Sequence, residues 1–419
     1  MGTFALSPRL WTMTGNLATR GAGFVTSLII SRLLGVNELG VYSGLINTAT
    51  AVSNPFAVVV TNNSTLLASQ HAKADTPAVL RASFLIAGLL ACVSSASLAL
   101  IYQFGLSDAS ASQPLLIAAG VAVVLSQVVG GVALGFLYGR NEFAWPSKTA
   151  IFFALVTLTF SYLVVRQYAL AGAFLLLIIL SLGALVTLST QAIRAQGTAP
   201  DEDHSTPAHI VATRYLRSAP SVLSIAINSG VNWVCTIYLV DTAYGAAGIG
   251  VVAVAGQWMN LIMLPATSWG GVTLKSIADA INDVHHARLR EVTWALMRKN
   301  LTATLALAAG IGLTSSFIAH AYNLADTDLA WVICLNCLCA LVAAANNVLE
   351  RLLLALDRQN AWLAFSLVGF SVQLAVTYCF IGEGVWMVAV GVFAGSTVLM
   401  LLAIASTFMS PALASREAR

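Results

Sequence analysis

A polar stripe in the first apolar segment carries the strongest candidate chemistry of the chain. Thr12, Asn16 and Arg20 are spaced four residues apart, so in a helix they lie on one face. A guanidinium offers several donors to an anion such as a diphosphate. An arginine within a membrane costs about 2.5–3.5 kcal/mol and usually faces a cavity. The stripe therefore predicts a cationic site for a phosphate-bearing ligand; the alternative is that Arg20 bridges helices or extends to an interface.

Amide side chains lie inside several other apolar segments. Asn228 and Asn232 are one helical turn apart, and Asn346 precedes Arg351 near the end of a later segment. Such groups could hydrogen-bond sugar hydroxyls in a hydrated cavity, or they could join neighbouring helices. The candidate cavity-lining residues are Asn16, Arg20, Asn62, Asn228, Asn232, Gln257, Asn260, Asn346 and Arg351.

A further group of basic residues lies at the ends of the apolar segments. With Arg351, these residues could gather an anionic headgroup at a cytoplasmic mouth. The alternative for each of them is simple anchoring of the cytoplasmic side of a membrane protein. The mouth cations are Arg81, Arg214, Arg217 and Lys275.

The composition indicates a membrane protein. The chain has 419 residues, of which 58% are hydrophobic and 9% charged, and its mean hydropathy is +0.84; soluble domains are about 25% charged. Apolar runs recur that are long enough to cross a hydrocarbon core of about 30 Å, and they are continuous rather than alternating, which favours helices. We predict an all-α polytopic membrane protein with twelve spans, near residues 10–34, 40–68, 80–104, 114–138, 149–165, 167–193, 217–241, 246–274, 301–321, 330–355, 361–381 and 385–409.

The basic residues predict the orientation of these spans. Most of the 20 lysines and arginines fall at the termini or in loops after even-numbered spans. Because cytoplasmic loops are enriched in lysine and arginine, both termini are expected in the cytoplasm. The first span is too long for a cleaved signal peptide, and no small-residue cleavage site precedes its end.

The two halves of the chain share a pattern of glycine and proline residues. Gly35, Gly40 and Pro55 correspond to Gly245, Gly250 and Pro265 at a constant offset of 210 residues. We expect the glycines to form tight outer turns and the prolines, Pro55 and Pro265, to kink the second helix of each half. Paired kinks are a pointer to a transport path.

A polar segment separates the halves. Residues 195–209, AQGTAPDEDHSTPAH, are hydrophilic and lie between the sixth and seventh spans. The prediction is a six-helix bundle at 1–194, a cytoplasmic linker at 195–213 and a second bundle at 214–419. An even number of spans in each half implies a pseudo-two-fold axis along the membrane normal.

Enzymatic and metal sites are not indicated. The cysteines lie inside predicted spans without convergent partners, so the CLNCLC run at 334–339 is expected to be small buried side chains rather than metal ligands. The six histidines form no acid–base constellation. There is no GxxxxGKS loop for a nucleotide. We expect no enzyme activity, no cofactor and no nucleic-acid partner.

The run SRLLGVNELGVYSGLINTATAV, residues 31–52, resembles the corresponding signature of the polysaccharide and O-antigen flippases of the multidrug/oligosaccharidyl-lipid/polysaccharide (MOP) exporter superfamily. Chain length, span count and the central linker are also similar to that family. The resemblance implies two six-helix bundles around a central cavity in a bacterial inner membrane. It implies alternating access that moves a lipid-linked oligosaccharide to the periplasmic leaflet for lipopolysaccharide or exopolysaccharide synthesis, with membrane lipids and a polysaccharide polymerase as candidate partners.

Two other transporters stay open as alternatives. One is an ion-coupled drug or small-molecule antiporter of the same superfamily, which would be expected to carry an acidic residue inside its bundle. Here Glu350 and Asp241 lie near span ends, and Arg20 occupies the first span. The other is a lipid II flippase, which would be expected to have more spans and more cavity cations.

Overall fold

The structure is a computed structural model that describes residues 8–70, 76–104, 113–195, 208–268, 273, 277, 287–325, 327–356 and 358–408. Every regular element within these ranges is a helix. Lys275 and residues 196–207 of the predicted linker lie outside them, whereas residues 208–213 of that linker are helical. The predicted all-α fold is confirmed.

The helices of the first part of the chain are long. They are α1 (Pro8–Leu34), α2 (Val36–Gln70), α3 (Thr76–Phe104), α4 (Gln113–Gly139), α5 (Ala144–Arg194), α6 (Ala208–Arg217) and α7 (Ala219–Trp233). A π-helix, Val234–Tyr238, follows α7 directly. π-Helices are rare in proteins, and those that occur often lie at functional sites.

The second part of the chain contains several interrupted helices. They are α8 (Leu239–Ile262), α9 (Leu264–Ser268), α10 (Ala287–Leu313), α11 (Ser315–Ala321), α12 (Leu329–Ala355), α13 (Gln359–Phe380) and α14 (Met387–Phe408). A 3₁₀ turn, Ile381–Glu383, joins the last two. Helices α10 and α11 bend by 58° at their junction.

Helix α5 is two membrane spans joined by a sharp reversal. Its 51 residues would extend about 77 Å if straight, more than twice the hydrocarbon core. The backbone leaves the helical region at Ala169, with φ 51° and ψ −138°. Beyond it, a Cβ on Gly172 would collide with the carbonyl oxygen of Val164, eight residues earlier. The chain therefore folds back on itself close to the predicted boundary between spans five and six.

Helix α8 reverses in the same way. Gly245 has φ 64° and ψ −165°, and the backbone of Gly248 packs against Val240 and Tyr244. The seventh span consequently runs through α7, the π-helix and the start of α8, and the eighth begins after Gly245.

Twelve spans result when these reversals are counted. Eight described helices are long and apolar enough to cross a membrane, or nine if the bent pair α10–α11 is one span. Two of the eight, α5 and the stretch Val222–Ile262, turn back on themselves and account for two spans each. Helix α2 adds one more, because its 35 residues are long enough to cross a bilayer although asparagine, serine and threonine make it more polar. The described helices thus account for all twelve predicted spans.

Gly35 and Gly245 have the turn geometry that their spacing predicts, whereas the predicted turn glycines Gly40 and Gly250 lie within helices α2 and α8. Gly35 has φ 95° and Gly245 has φ 64°, both in the left-handed region that favours glycine. The prolines differ from each other. Helix α2 continues through Pro55, whereas in the second unit the helix ends at Ile262 and a new one begins at Leu264, just before Pro265.

The chain divides into two compact units, Met1–Trp233 and Val234–Arg419.

Close helix packing in the first unit depends on glycines. Gly131, Gly135 and Gly139 are spaced four residues apart on α4, and a Cβ on each would strike α2 near Thr61 or Thr65. Small residues at this spacing allow membrane helices to approach closely. In the second unit, Gly369 of α13 and Gly395 of α14 make a similar close approach.

Helix α7 belongs to the first unit, although the predicted second bundle begins at residue 214. A polar seam holds it against α2: Trp233 Nε1 donates to Thr48 Oγ1 at 2.8 Å, and Asn63 Nδ2 donates to Ser218 Oγ at 3.0 Å. The amide of Asn54 and the hydroxyl of Ser64 add contacts at 3.5 Å to Ser229 and at 3.3 Å to Tyr215. Tyr215 lies on α6 and Ser218 just before α7, so the seam runs antiparallel to α2 along α6 and α7.

The turn at Gly245 provides a test of the reversal. Alanine at this φ and ψ is strained, so Gly245→Ala is expected to lower the free energy of unfolding by about 1–3 kcal/mol. The matched control is Gly23→Ala, which is helical and has open space beside it. The control is expected to leave stability unchanged or raised, since alanine favours helix over glycine. Thermal unfolding in detergent measures both, and equal effects would contradict the turn geometry.

The polar seam provides a second test. Asn63→Ala and Ser218→Ala each remove one partner of the same hydrogen bond. A double-mutant cycle on unfolding in detergent is expected to give a coupling of about 0.6 kcal/mol, and at most about 1.7 kcal/mol, as for other hydrogen bonds between membrane helices. Strictly additive effects would show that the two side chains do not interact in the folded protein.

Candidate substrate-binding site

Arg20 is placed by the packing of α1. The buried face of α1 includes Gly15 and Ala22, and Gly15 lies against Ser147 of α5, where a Cβ would come within 3.0 Å of the Ser147 Cα. Arg20 lies away from that face and is partly buried. Because α5 packs against the face of α1 that carries Gly15, the face that carries Arg20 does not contact α5 there.

The guanidinium of Arg20 is not saturated. Its Nη1 atom is buried and has no hydrogen-bond partner among the described residues. A Cβ on the adjacent Gly21 or on Gly23 would meet nothing within 4 Å, so no other helix packs closely against α1 at these two positions. A buried donor left unpaired is costly, particularly when it carries a charge. The geometry therefore leaves one donor of Arg20 available to an anion.

The candidate amides differ in accessibility. Asn16, Asn62, Asn228 and Asn260 are exposed, although each lies in a span. Asn232 Nδ2 donates to Asn228 Oδ1 at 2.7 Å, which orients both amides along one face of α7. Polar groups facing lipid would be costly, so exposed amides within spans favour a hydrated surface.

The polar seam shows which amides of α2 join a neighbouring helix and which are left for a ligand. Asn63 is 5% exposed and is hydrogen-bonded to Ser218, just before α7. Asn54 contacts Ser229, near the other end of α7. The neighbouring Asn62 is exposed and remains available for a ligand. Sequence spacing did not identify the seam, because which amide meets another helix depends on how α2 is rotated against its partner.

The position on α7 that corresponds to Arg20 is bare. Gly230 is exposed, and a Cβ there would meet nothing within 4 Å. The charge that Arg20 places in the first half is therefore not repeated at this position of the second half.

The candidate residues of the second unit divide in the same manner. Gln257 is partly exposed and Asn260 is exposed on α8. Asn346 is only 8% exposed, and its Nδ2 donates to the carbonyl of Ser396 at 2.9 Å, which joins α12 to α14. Arg351 lies on α12, and its Nε is buried with no hydrogen-bond partner in the described part of the chain. Asn346 is thus an interior residue rather than a surface one.

Three of the four mouth cations are described, and they lie on two helices of the first unit that pack together. Helix α6 packs on α3. Arg81 lies near the start of α3, and Arg214 and Arg217 lie on α6. Tyr215 between them is buried, and this burial raises the pKa of its phenol. It therefore stays protonated at neutral pH and shares a hydrogen bond with Ser64.

Cys337 and Cys339 of the CLNCLC run are buried as expected, whereas Cys334 is partly exposed. All six are free, and among the described residues no group of histidine, cysteine and acidic side chains could hold a metal ion. Cys334 contacts the hydroxyl of Ser315, and Cys339 donates to the carbonyl of Ala389. These contacts are packing between helices.

Two curated relatives are similar to most of the chain. The EPS I polysaccharide export inner membrane protein EpsE of Ralstonia solanacearum is 24% identical over 337 residues, which cover 78% of this chain and 73% of the relative. The protein of the same name from Ralstonia nicotianae is 23% identical over 338 residues, with the same coverage. No protein-family profile matches the chain.

Solved structures share its fold. A MOP superfamily transporter from Pyrococcus furiosus, described as having a binding pocket of reverse polarity, has a TM-score of 0.71 at 14% identity and covers 98% of this chain and 95% of its own. A multidrug resistance MATE family transporter in its outward-facing conformation has a TM-score of 0.70 at 13% identity, with 98% and 95% coverage. A multidrug resistance MATE family transporter in an inward-facing conformation has a TM-score of 0.68 at 14% identity, with 99% and 97% coverage.

The names of the relatives and the shared fold agree with the resemblance that was drawn from the sequence. The described helices are long and apolar enough to span a bilayer, and both relatives are named inner membrane proteins. The chain has the fold of the MOP superfamily transporters.

Proposed function

We propose that this protein is a flippase that moves a polyprenyl-diphosphate-linked oligosaccharide from the cytoplasmic to the periplasmic leaflet by alternating access. One observation carries the proposal: Arg20 lies within an apolar span, and its guanidinium has a buried donor without a partner among the described residues. A drug exporter for cations has no use for a positive charge there. A lipid diphosphate does, because its oxygens accept charge-assisted hydrogen bonds from a guanidinium.

In this proposal, the exposed amides recognise the oligosaccharide part of the substrate. Oligosaccharides present many hydroxyls, which both donate and accept hydrogen bonds, and amides do the same. In the first unit, Asn16 lies one turn before Arg20, and the hydrogen-bonded pair Asn228–Asn232 lies on α7. The further proposed sugar contacts are Asn62, Gln257 and Asn260.

The cluster of Arg81, Arg214 and Arg217 supports a role in substrate capture. Grouped cations at one end of a membrane protein attract anionic headgroups, at about 1 kcal/mol for each basic residue near the surface. In the proposed mechanism this cluster raises the local concentration of the lipid diphosphate, and Arg20 then holds it within the span. Both termini are cytoplasmic in this scheme.

The names of the curated relatives favour a secreted polysaccharide as the product of the pathway. We therefore infer that the substrate is an exopolysaccharide repeat unit rather than an O-antigen unit, and that a polysaccharide polymerase acts on it after translocation. The protein itself acts as a transporter and carries out no covalent chemistry. An ion-coupled antiporter of small molecules is the competing function, since the structural relatives include multidrug transporters.

Transbilayer movement of a labelled lipid tests the proposal. The protein is reconstituted in liposomes with a fluorescent polyprenyl-diphosphate oligosaccharide, and an external quencher reports how much label becomes accessible with time, with and without proton or sodium gradients. Wild type is expected to expose the inner-leaflet label. Arg20→Ala is expected to slow the exchange about 10- to 100-fold, because charged hydrogen bonds contribute about 1.5–3 kcal/mol. Arg20→Lys is expected to retain part of the rate, since it keeps the charge without the planar fork.

The matched control is Arg166→Ala. Arg166 is an exposed arginine of the same unit whose guanidinium lies over the ring of Tyr162. It is expected to exchange lipid at the wild-type rate, and gel filtration checks that each variant is folded. If wild type moves no glycan-linked lipid under either gradient but exports small cations, the antiporter function replaces the flippase.

A further inference from the structure

The seventh span is divided between the two compact units. The boundary between the units falls between Trp233 and Val234, inside a continuous helical segment. Trp233 is the last residue of α7, and Val234 is the first residue of the π-helix. One half of a single membrane span therefore packs with the first unit, and the other half packs with the second.

The half before the boundary is held on α2 by polar contacts. Helix α7 packs on α2, and α6 packs on α3 and α2. The polar seam holds them there, from the bond between Trp233 and Thr48 to the bond between Asn63 and Ser218. Hydrogen bonds between membrane helices are individually weak. By contrast, glycines of α4 bring its backbone against α2. The contact of α7 with α2 is therefore the more easily separated of the two.

The half after the boundary is fixed within the second unit. Cys235 of the π-helix is fully buried and lies against Gln373 and Thr377 of α13. Further along the span, Tyr244 Oη donates to the carbonyl of Ile381 at 2.7 Å. The π-helix and the start of α8 are thus anchored to α13 and to the 3₁₀ turn that follows it.

The π-helix Val234–Tyr238 joins these two halves. A π-helical turn is wider than an α-helical turn, and it is one of the few features at which a helix bends sharply. Hinges are short segments at the ends of rigid elements that absorb a change of backbone angles. The π-helix lies at the unit boundary, so α7 can change direction there while α8 keeps its place.

The polar seam lies on one side of Arg20. Helices α1 and α2 are joined by the turn at Gly35, with Arg20 15 residues before it and Thr50 15 residues after it. Because both helices rise about 1.5 Å per residue, Arg20 lies at the level of Thr50. The seam runs from Thr48 to Ser64 of α2. It therefore lies between the level of Arg20 and the end of α2 that the charge pattern predicts to be cytoplasmic.

We propose that the polar seam is a gate on the cytoplasmic side of Arg20, and that the π-helix Val234–Tyr238 is the hinge on which it opens. In the closed state, the seam holds α6 and α7 against α2. When its hydrogen bonds break, α6 and α7 turn away from α2, and the π-helix keeps its contacts in the second unit. The inference rests on the proposed transport by alternating access, but not on the chemistry of the substrate.

A disulfide across the seam tests the gate. Asn63→Cys and Ser218→Cys replace the partners of one seam hydrogen bond, in a background in which the exposed Cys92 and Cys379 are changed to alanine. Oxidation of the purified protein is expected to slow lipid exchange in the liposome assay about tenfold or more, because a closed gate blocks the step that admits the lipid. A reductant is expected to restore the rate. A complete disulfide that leaves the rate unchanged would overturn the proposal, and so would failure of the pair to cross-link.

The matched control is Ser53→Cys with Gln127→Cys, which replaces a hydrogen-bonded pair between α2 and α4 in the same unit. These two helices stay together in the proposed motion, so this disulfide is expected to leave lipid exchange unchanged. An equal loss of exchange in the control would mean that any cross-link in the unit stops transport, and the seam would not be the gate.

Distances between spin labels separate the gate from the flippase proposal, because they need no substrate. Leu66 of α2 and Leu216 of α6 are exposed beside the seam, whereas Tyr238 and Tyr378 are exposed within the second unit. Double electron–electron resonance on the reconstituted protein is expected to give two distances for the first pair and one for the second. Asn63→Ala is expected to raise the population at the longer distance about threefold, because it removes one seam hydrogen bond.

The outcomes distinguish the two proposals. One unchanged distance across the seam, in both wild type and Asn63→Ala, would overturn the gate even if the protein exchanges lipid. Two distances across the seam without exchange of the glycan-linked lipid would support the gate and overturn the flippase. A change of distance within the second-unit pair would show that the π-helix moves with α7, and it would contradict the hinge.

Discussion

A bilayer offers no hydrogen bonds, and this constraint determines how every polar group in the protein is used. Helices satisfy the backbone, and many hydroxyls are satisfied within their own helix, as where Thr26 donates to the carbonyl of Ala22. Others are satisfied between helices, as in the polar seam of α2 and α7. Those that remain have a different purpose. Arg20 is the most informative of them, because it carries a charge and keeps a buried donor unpaired.

Packing decides which polar groups remain available. The glycines of α4 bring α2 close, and with α2 placed, Asn63 turns to α7 while its neighbour Asn62 stays exposed. The contact of Gly15 with α5 likewise turns Arg20 away from the helix interface. Small residues on one face thus position polar residues on another, and the proposed substrate contacts follow from the close approach of helices. The same logic explains Asn346, which the contact with α14 makes an interior residue.

The sequence predicts the helical spans well because their signals are local. Hydropathy predicts twelve spans, and the glycine spacing predicts the turns at Gly35 and Gly245, since only glycine adopts those backbone angles easily. The reversal at Ala169 lies three residues beyond the predicted boundary at Arg166. The site is less predictable. Arg20 stands out by its charge, but which amides pair depends on helix rotation, and no sequence signal indicated the π-helix or the grouping of α7 with the first unit.

The central claim is that the protein recognises a lipid diphosphate bearing a glycan, and competitive binding to the wild-type protein tests it most directly. Native mass spectrometry in detergent would measure binding of a polyprenyl-diphosphate oligosaccharide against the same lipid with a monophosphate and against an anionic phospholipid. The account predicts at least a tenfold preference for the diphosphate glycolipid, because Arg20 favours the diphosphate and the exposed amides favour the glycan. Equal occupancy by all three lipids would contradict the account and would leave only a general attraction to negative charge.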